Sequence, residues 1–380
     1  MGWSGVKSKP FNYEEVVTIE NLTNVYNTVR KNTKHKDKIF IFELFFSCNI
    51  MSIYNTLKDE AYHHQRYHIF IIKEPKYRLI MSETMPDKIV NHLVSTYFLF
   101  PLIDPLLLPM NVATRPLMGS SRGIYYVKKY INKLKENHDK IYILKCDISK
   151  YFYSIDHEIL LQKLTKIIKE ERILRIVKEI IYSTNNNYVN EEIEKSVNNE
   201  IERVKKLGIR DCNEHIRELK SIPYYQKGKG LPIGNMTSQI LAVYYLNDLD
   251  HFIKEKLRIK CYVRYMDDFI LFHEDREYLK YCLKEIEKKL DELKLKLNKK
   301  TQIVEIHHGF CFLGYRFVLK NKKLLVLLNG KTKYKIKKRV KYVRKHEPEK
   351  LEHTLASYHG FLKSADSGSF CYRNDLRIKK

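Results

Sequence analysis

The feature that most constrains the fold is a pair of adjacent acids between two short β-rich runs. Residues 261–265 and 269–272 are rich in Tyr, Val, Phe and Ile, and Asp267 and Asp268 lie where these runs meet. Two such runs separated by a few residues predict a β-hairpin with the acids at its turn. Asp is common in turns because its side chain bonds the local backbone, so an isolated pair is usually only structural. Other parts of the chain decide whether this pair does chemistry.

A third acid follows another predicted strand. Residues 142–146 form a short apolar run that ends at Asp147, and Asp156 then caps a helical pattern, so strand, loop and helix follow in order. If this strand neighbours the hairpin, Asp147, Asp267 and Asp268 converge at one end of a sheet. Clustered carboxylates repel one another and are stable mainly when hard cations neutralise them. Two Mg²⁺ ions about 3.5–4 Å apart would suit such a cluster and would support nucleotidyl transfer.

The predicted elements around these acids are, in order, strand, helix, helix, hairpin, helix and strand. This order indicates an α+β sheet with helices on one face. A loop with three glycines at residues 227–234 opens an amphipathic helix at about 237–256, and leucines at three- and four-residue spacing predict a helix at 283–297. Residues 67–81 predict a second hairpin. Residues 184–222 are rich in Asn, Glu and Lys, and we expect them to form an excursion on the surface.

The chain carries far more basic than acidic residues. Among 380 residues, 70 Lys plus Arg stand against 45 Asp plus Glu, a formal net charge of +25, while 44% of residues are hydrophobic. This hydrophobic share excludes a disordered basic tail, so the partners of the folded protein are nucleic-acid phosphates or an anionic membrane. The most apolar stretches, residues 39–46 and 97–110, are interrupted and fall short of the roughly 18 apolar residues of a spanning helix. We therefore predict no membrane partner and a cytoplasmic location.

Several motifs occur in a fixed order along the chain. They are Lys145-Cys146-Asp147-Ile148, residues 230–239 (Gly-Leu-Pro-Ile-Gly-Asn-Met-Thr-Ser-Gln), Tyr265-Met266-Asp267-Asp268 and residues 312–317 (Phe-Leu-Gly-Tyr-Arg-Phe), with a weaker echo at residues 357–362. This series, over roughly residues 70–318, resembles the reverse transcriptases. The resemblance implies a right-hand polymerase with fingers, an antiparallel palm sheet backed by helices, and a thumb. It also implies an RNA-directed DNA polymerase that uses Mg²⁺, deoxynucleoside triphosphates, an RNA template and a DNA or RNA primer.

The resemblance implies a division of the chain into the parts of the hand. We expect an N-terminal extension at 1–60, fingers at 61–140, a palm at 141–320 with a polar insertion at about 184–222, and a basic helical thumb at 321–380. Between Lys331 and Lys350, ten Lys or Arg stand against two Glu, so we expect the thumb to follow the backbone of the template–primer duplex. The insertion offers a surface for an accessory protein or a structured non-coding RNA.

Carried over position by position, the resemblance assigns roles to individual residues. Asp147, Asp267 and Asp268, with the backbone carbonyl of Ile148, resemble the metal ligands. The positions that resemble nucleotide-binding residues are Lys76, Arg78, Ile148, Phe152, Ile233, Gly234 and Gln239. The positions that resemble primer and template contacts are Tyr265 and Met266, and the primer-gripping hairpin at Phe312, Leu313, Gly314 and Tyr315. Arg115 lies in the next finger motif, where a phosphate contact and a catalytic role are both open.

Two of these positions bear on substrate choice. Phe152 occupies the position whose ring, in this family, packs under the sugar and excludes a 2′-hydroxyl, which favours deoxynucleotides. Ile233-Gly234, where many relatives have Gln-Gly, together with Ser238-Gln239 resembles the enzymes of diversity-generating retroelements, which copy RNA with frequent errors at adenines. An alkyl group in place of an amide removes hydrogen-bonding capacity, so discrimination should be weaker. Simple packing is the alternative for both side chains.

Other interpretations stay open at this stage. The chain could be a defence-associated, anti-phage reverse transcriptase, or a protein-primed or template-independent DNA polymerase that starts from a Tyr or Ser hydroxyl. A non-catalytic RNA-binding scaffold with the same fold is opposed by the intact Asp147, Asp267 and Asp268. An RNA-copying RNA polymerase is opposed by Phe152.

Overall fold

A computed structural model describes residues 12–33, 36–73, 76–208 and 211–376 of the chain. Its helices are α1 (Tyr13–Val16), α2 (Ile19–Asn32), α3 (Lys36–Leu44), α4 (Phe46–Lys58), α5 (Met85–Val94), α6 (Phe100–Ile103), α7 (Ser120–Asn137), α8 (Tyr151–Ser154), α9 (His157–Ile167), α10 (Glu171–Tyr182), α11 (Asn187–Lys206), α12 (Cys212–Lys220), α13 (Met236–Tyr245), α14 (Asn247–His251), α15 (Arg276–Glu292), α16 (Gly330–His346), α17 (Leu351–Lys363) and α18 (Gly368–Arg373). Its strands are β1 (His68–Lys73), β2 (Tyr77–Ser82), β3 (Tyr142–Asp147), β4 (Cys261–Tyr265), β5 (Asp268–His273), β6 (Gln302–Glu305), β7 (Phe310–Phe312), β8 (Tyr315–Lys320) and β9 (Lys323–Leu328).

The described residues form two units, each with its own core. The first unit takes those within Met1–Leu108, Ile148–Asp248 and Lys289–Lys296, and the second takes those within Pro109–Asp147, Leu249–Lys288 and Leu297–Lys380. Parts of four predicted regions lie outside the described residues: the start of the N-terminal extension with residues 34–35, the turn of the first hairpin at 74–75, residues 209–210 of the polar insertion, and the last residues of the thumb.

In the first unit, the hairpin β1–β2 packs on the two helices α11 and α12. The strands pair antiparallel from His68 opposite Ser82 to Lys73 opposite Tyr77, which confirms the hairpin predicted over residues 67–81. The core residues on the helices include Val189 and Ile193. The segment at 184–222 is thus two packed helices and not the surface excursion that its polar composition led us to expect. In α11, apolar residues spaced mostly four positions apart form the packing face, and Asn, Glu and Lys occupy most of the positions between them.

A long apolar helical run lies in the same unit. From Met85 to Leu106 the chain is continuously helical, with a π-helical turn between α5 and α6, and by length and composition this run could cross a membrane. The bent pair α3–α4 passes the same test only if its 84° bend is ignored. The sequence has an apolar stretch at 97–110. The apolar helical run in the structure is longer than that stretch because it already begins at Met85. Half of its most apolar window is buried, and it packs against α2 and α13, which accounts for its composition without a bilayer.

The second unit contains two antiparallel sheets. One has the strand order β4-β5-β3-β6 and the other the order β7-β8-β9. Helix α7 packs on β4, β5 and β9, and α16 and α17 add Ile336, Val340 and Leu355 to the same apolar core. The α+β fold with antiparallel sheets and backing helices is confirmed. The region expected to be a helical thumb opens with a strand, β9, before α16 begins.

Candidate active site

The acids that the sequence analysis singled out lie at one end of the sheet in the second unit. Strands β3 and β5 are antiparallel neighbours, and Asp147, the last residue of β3, is the register partner of Asp268, the first residue of β5. Asp267 precedes Asp268 in the turn from β4, whose last residue, Tyr265, also pairs with Asp268. The predicted hairpin with acids at its turn is confirmed. The neighbouring strands bring the third acid to the same end.

A lysine that the sequence analysis missed lies beside these acids. Lys145 is two residues before Asp147 on β3, so both side chains point to the same face. Its Nζ donates to Asp268 Oδ2 at 3.3 Å and to the carbonyl of Cys311 at 2.9 Å. The signal was the two-residue spacing on a strand. Because an ammonium group contacts one carboxylate, the acids are partly neutralised from within the chain.

The ionised form of Asp268 is disfavoured despite the contact with this lysine. Burial, together with the charges of Asp147 and Asp267, raises the pKa of its carboxyl to about 6, and Lys145 only partly offsets the rise. Its Oδ1 is buried and has no hydrogen-bond partner among the described residues. A buried carboxylate oxygen without a donor is costly. This side of Asp268 therefore favours a proton or a cation.

The turn that carries the two acids is held from behind by a second residue that the sequence analysis missed. Arg264 on β4 donates through Nη1 to the carbonyl of Met266 at 2.9 Å. Met266 has φ 58°, in the left-handed region that non-glycine residues rarely adopt. The guanidinium thus fixes the backbone of a strained turn one residue before Asp267. An Arg within a hydrophobic strand was the only sequence signal for this role.

Comparison with known proteins bears on what these acids do. A sequence model of the family described as "Reverse transcriptase (RNA-dependent DNA polymerase)" matches residues 71–317, well over half of the chain. This chain belongs to the reverse transcriptase family. The match begins within β1 and ends within β8, so it includes all three acids and the strands that carry them.

Solved structures and curated proteins add little to this family assignment. One similar solved structure is titled "Structure of apo telomerase from Candida Tropicalis truncated from C-terminal domain", with 14% sequence identity and a TM-score of 0.45. The similarity covers 68% of this chain and 54% of the telomerase chain, so this reverse transcriptase spans about half the length of that protein. No curated protein matches the chain in sequence.

Reverse transcriptases generally use divalent metal ions, typically Mg²⁺, and the acids of this chain fit such an ion. Carboxylate oxygens are the ligands that Mg²⁺ prefers, and Asp268 Oδ1 is a buried oxygen without a donor. Among the described residues, no three His, Cys, Asp or Glu side chains are already arranged as a metal-holding group. Asp147, Asp267 and Asp268 would hold the ion, with Asp268 offering Oδ1, the oxygen that Lys145 does not contact. The further predicted ligand, the carbonyl of Ile148, belongs to the first unit.

The predicted primer-gripping hairpin is present in the second unit, but half of its side chains face inward. Phe312 and Tyr315 pair across the turn between β7 and β8, and both are buried in the core. Leu313 and Gly314 form the turn with φ 50° and 84°; Leu313 is half-buried against the core, and Gly314 is exposed. That Phe312 and Tyr315 contact the primer stays a prediction, and such a contact would be made by their backbone, because their side chains are used in packing.

Helix α17 accounts for the weaker motif at residues 357–362. The ring of Phe361 stacks on Tyr315 with ring centroids 4.5 Å apart, and the Tyr315 hydroxyl donates to the Phe361 carbonyl at 2.9 Å. A Cβ on Gly314 would lie 3.1 Å from the same Phe361 ring. The motif thus supports the turn between β7 and β8.

Arg115, also in the second unit, donates from Nη1 to the carbonyl of Asn111 at 3.2 Å.

Most residues predicted to bind the nucleotide lie in the first unit, where three segments meet. The amide of Leu231 donates to the carbonyl of Phe152 at 2.8 Å, and the amide of Met81 on β2 donates to the carbonyl of Ile233 at 2.8 Å. The ring of Phe152 is half-buried in α8. The loop that carries Ile233 is therefore fixed between α8 and β2.

The remaining predicted residues of this unit lie on or near the same segments. Lys76 and Arg78 are exposed at the start of β2, while Tyr77 between them is buried, so the two cations share the exposed face. Gly234 has φ 131°, and a Cβ there would lie 2.9 Å from the Met81 carbonyl oxygen, so the close approach requires glycine. Gln239 is exposed on the first turns of α13.

Asp156 has the structural role that the sequence predicted. Its carboxylate accepts from the amide of Ile159 at 3.1 Å and caps α9, and it also accepts from Lys294 Nζ at 2.7 Å. His157 Nε2 lies 2.7 Å from the carbonyl of Gly230 and is buried. Both residues therefore serve the fold of the first unit.

Proposed function

We propose that this chain is an RNA-directed DNA polymerase that extends a primer by nucleotidyl transfer from deoxynucleoside triphosphates. The observation that carries the proposal is the pairing of Asp147 with Asp268 across β3 and β5, with Asp267 in the adjoining turn. Three carboxylates at one end of a sheet repel one another, and their oxygens are the ligands that Mg²⁺ prefers. Membership of the reverse transcriptase family supports the choice of reaction.

The residues of the chain divide the work of this reaction. Asp147, Asp267 and Asp268 would hold two Mg²⁺ ions, which supply charge neutralisation for the attacking hydroxyl and the leaving pyrophosphate. Arg264 positions the turn, and Lys145 offsets part of the negative charge on Asp268. In the first unit, Lys76 and Arg78 offer two cations on one face for triphosphate oxygens. Phe152 is proposed to lie under the sugar and to exclude a 2′-hydroxyl.

Primer extension on a defined RNA template tests this proposal. We expect DNA synthesis that needs both a primer and Mg²⁺, with deoxynucleotides preferred over ribonucleotides. Asp267→Asn should lower the rate on the order of 10³-fold, because it removes a ligand from a charge-stabilising site. Glu277→Gln, an exposed acid on α15, is the matched control and should leave the rate unchanged.

Three results would point away from the proposal. Synthesis that prefers ribonucleotides would assign an RNA polymerase. DNA covalently attached to the purified protein would assign protein priming from a side-chain hydroxyl. Nucleic-acid binding without any primer extension by the unmodified protein would leave a nucleic-acid-binding scaffold as the better description.

We further propose that Ile233 lowers the accuracy of copying at template adenines. Its backbone is held to Met81, so its branched side chain occupies a fixed place with no hydrogen-bonding atoms. Sequencing of cDNA from a defined RNA should show more errors opposite adenine than opposite other bases. Ile233→Gln should reduce this excess, whereas Ile233→Val should keep it. Equal error rates at all four template bases in the unmodified protein would contradict the proposal.

A further inference from the structure

Two adjoining clefts in the second unit have several lysines among their lining residues. They lie between the turn that joins β8 to β9 and the C-terminal half of α7, with volumes of about 560 Å³ and 380 Å³. Both are lined by Lys135 and Lys322, so they form one continuous depression. We call it the lysine cleft and define it by Lys128, Lys135, Lys320, Lys322, Lys323 and His307.

The charge of the lysine cleft is poorly balanced by the chain itself. Two acids are among the lining residues, Asp139 and Asp366. The carboxylate of Asp366 accepts from the amide of Val326 at 2.8 Å, so it is engaged in holding β9. Several ammonium groups that share one depression repel one another. An anionic ligand would relieve that repulsion.

The turn at the centre of the cleft places a lysine where glycine is favoured. Asn321 and Lys322 form the turn between β8 and β9, with φ 47° and 58°. Two-residue turns of this kind prefer Asn followed by Gly, because a side chain with positive φ is strained. Here the second position carries Lys322. The turn thus holds Lys322 in the lining of the cleft.

The lysine cleft lies away from the acids of the candidate active site. Strand β3 has the cleft residue His138 shortly before its first residue and Asp147 at its last, and its six residues span roughly 17 Å. Strand β8 similarly runs from Tyr315, beside the turn that resembles the primer grip, to Lys320 in the cleft. A phosphate at metal ions held by the acids and a phosphate bound in the cleft would therefore be different phosphates.

From these observations we propose that the lysine cleft binds the phosphodiester backbone of a nucleic acid strand at a distance from the polymerase site. Lysine ammonium groups on flexible stems act as point charges that suit successive phosphates along a strand. Among the described lining residues the apolar side chains are aliphatic, Leu319, Leu324 and Val326, and no Phe, Tyr or Trp offers a platform for bases. Recognition should therefore depend on charge and not on sequence.

Salt-dependent binding tests this proposal with a matched pair of triple variants. Lys320→Gln/Lys322→Gln/Lys323→Gln removes three charges from the cleft. Lys280→Gln/Lys284→Gln/Lys288→Gln removes three charges from the exposed side of α15 and serves as the control. Fluorescence anisotropy would follow a labelled single-stranded RNA and, separately, a labelled DNA duplex between 50 and 200 mM KCl. Urea unfolding would verify that both variants fold like the unmodified protein.

The cleft variant should bind nucleic acid roughly 10- to 50-fold more weakly, and its plot of log affinity against log salt should be shallower by about 2. The control variant should change that slope by less than 1. If RNA alone responds, the cleft holds RNA, and if the duplex alone responds, it holds DNA. Equal losses in both variants, or none in the cleft variant, would overturn the proposal and would leave an acidic protein surface as the better ligand.

A third protein separates this inference from the proposed function. Asp267→Asn should abolish primer extension while its nucleic-acid binding keeps the full salt slope. If extension fails in the unmodified protein, the polymerase proposal falls and the cleft proposal still stands on its binding data. Conversely, if the cleft variant binds nucleic acid normally and still extends a primer, only the inference about the cleft falls.

Discussion

Arg264 and Asp250 form an ion pair from which water is completely excluded, since both side chains are 0% exposed. Arg264 Nε donates to Asp250 Oδ1 at 2.7 Å, and the hydroxyl of Tyr262 donates to the same oxygen at 2.6 Å. The other end of the guanidinium donates to the carbonyl of Met266. A buried ion pair adds little net stability over apolar packing. Its presence directly behind Asp267 is better explained by control of the turn that carries the acids.

Breaking this pair from one side should be costly. Arg264→Met leaves a buried carboxylate without its cation, and we expect a loss of about 3–5 kcal/mol in the free energy of unfolding. Urea denaturation would measure it. The double variant Arg264→Met/Asp250→Asn removes both charges and keeps an acceptor for Tyr262, so most of the stability should return. Primer extension should stay low in the double variant, because the Met266 carbonyl has lost its donor. If the double variant recovers primer extension as well as stability, the ion pair of Arg264 with Asp250 has only a structural role.

The raised pKa of Asp268 predicts an unusual dependence of stability on pH. With a pKa of about 6 in the folded protein against an ordinary 3.8, the folded state binds more protons than the unfolded state between these values. Stability from this group is therefore full below pH 4 and is lost as the pH rises through 6. Asp268→Asn should stabilise the metal-free protein by about 1–2 kcal/mol at pH 7 and by almost nothing at pH 4.

Urea unfolding in EDTA at several pH values between 4 and 8 would test this. Asp291→Asn, at an exposed position of α15, is the control and should show no such trend. With Mg²⁺ present the order should reverse, because the ion stabilises the carboxylate that the variant lacks. A stability gain of the same size at every pH would contradict the assignment of the effect to ionisation.

Two glycines of the first unit should differ in their tolerance of a methyl group. Gly234 has φ 131° and lies close to the Met81 carbonyl, whereas Gly228 has φ 76° with open space around it. Gly228→Ala should cost about 1 kcal/mol from backbone strain alone, and Gly234→Ala roughly 2–4 kcal/mol from strain plus the clash. Thermal or urea unfolding would compare them. Equal losses would show that the approach of the loop to β2 is not tight.

Substitution at Phe152 should change the choice of sugar. Phe152→Val removes the ring and should raise ribonucleotide incorporation relative to deoxynucleotide incorporation by roughly 10- to 100-fold. Phe152→Tyr keeps a ring and should retain the preference for deoxynucleotides. The ratio of kcat/KM values for a matched pair of nucleotides measures the effect. If both variants keep the original ratio, Phe152 only packs against its neighbours in α8.

The parts of the site that could be predicted from sequence are those set by local pattern. The hairpin around Asp267 and Asp268 follows from two β-rich runs with acids between them, and the cap at Asp156 follows from an acid before a helical pattern. The pairing of Asp147 with Asp268 needed one assumption, that their strands are neighbours. That assumption holds because a short antiparallel sheet leaves few other places for β3.

The parts that could not be predicted depend on residues distant in the chain or on which face a side chain takes. Lys145 contacts Asp268 from 123 positions away, a pairing that follows only from the strand register. Phe312 and Tyr315 were assigned as a block with their motif, although register partners on one face of a hairpin are buried together. In α11 the polar composition concealed a regular apolar stripe. The composition of a helix counts the residues on all of its faces, whereas its packing depends on the residues of one face.

The stacking of Phe361 on Tyr315 also has a consequence for how the protein is made. A ribosome adds residues in order, so β7, β8 and the turn between them leave it before α17 has been synthesised. During that interval Tyr315 lacks the ring and the carbonyl that later hold it, 46 positions further along the chain. The turn that resembles the primer grip can reach its native surroundings only after α17 has emerged. A nascent chain should therefore be unable to hold a primer until residues 351–363 have left the ribosome.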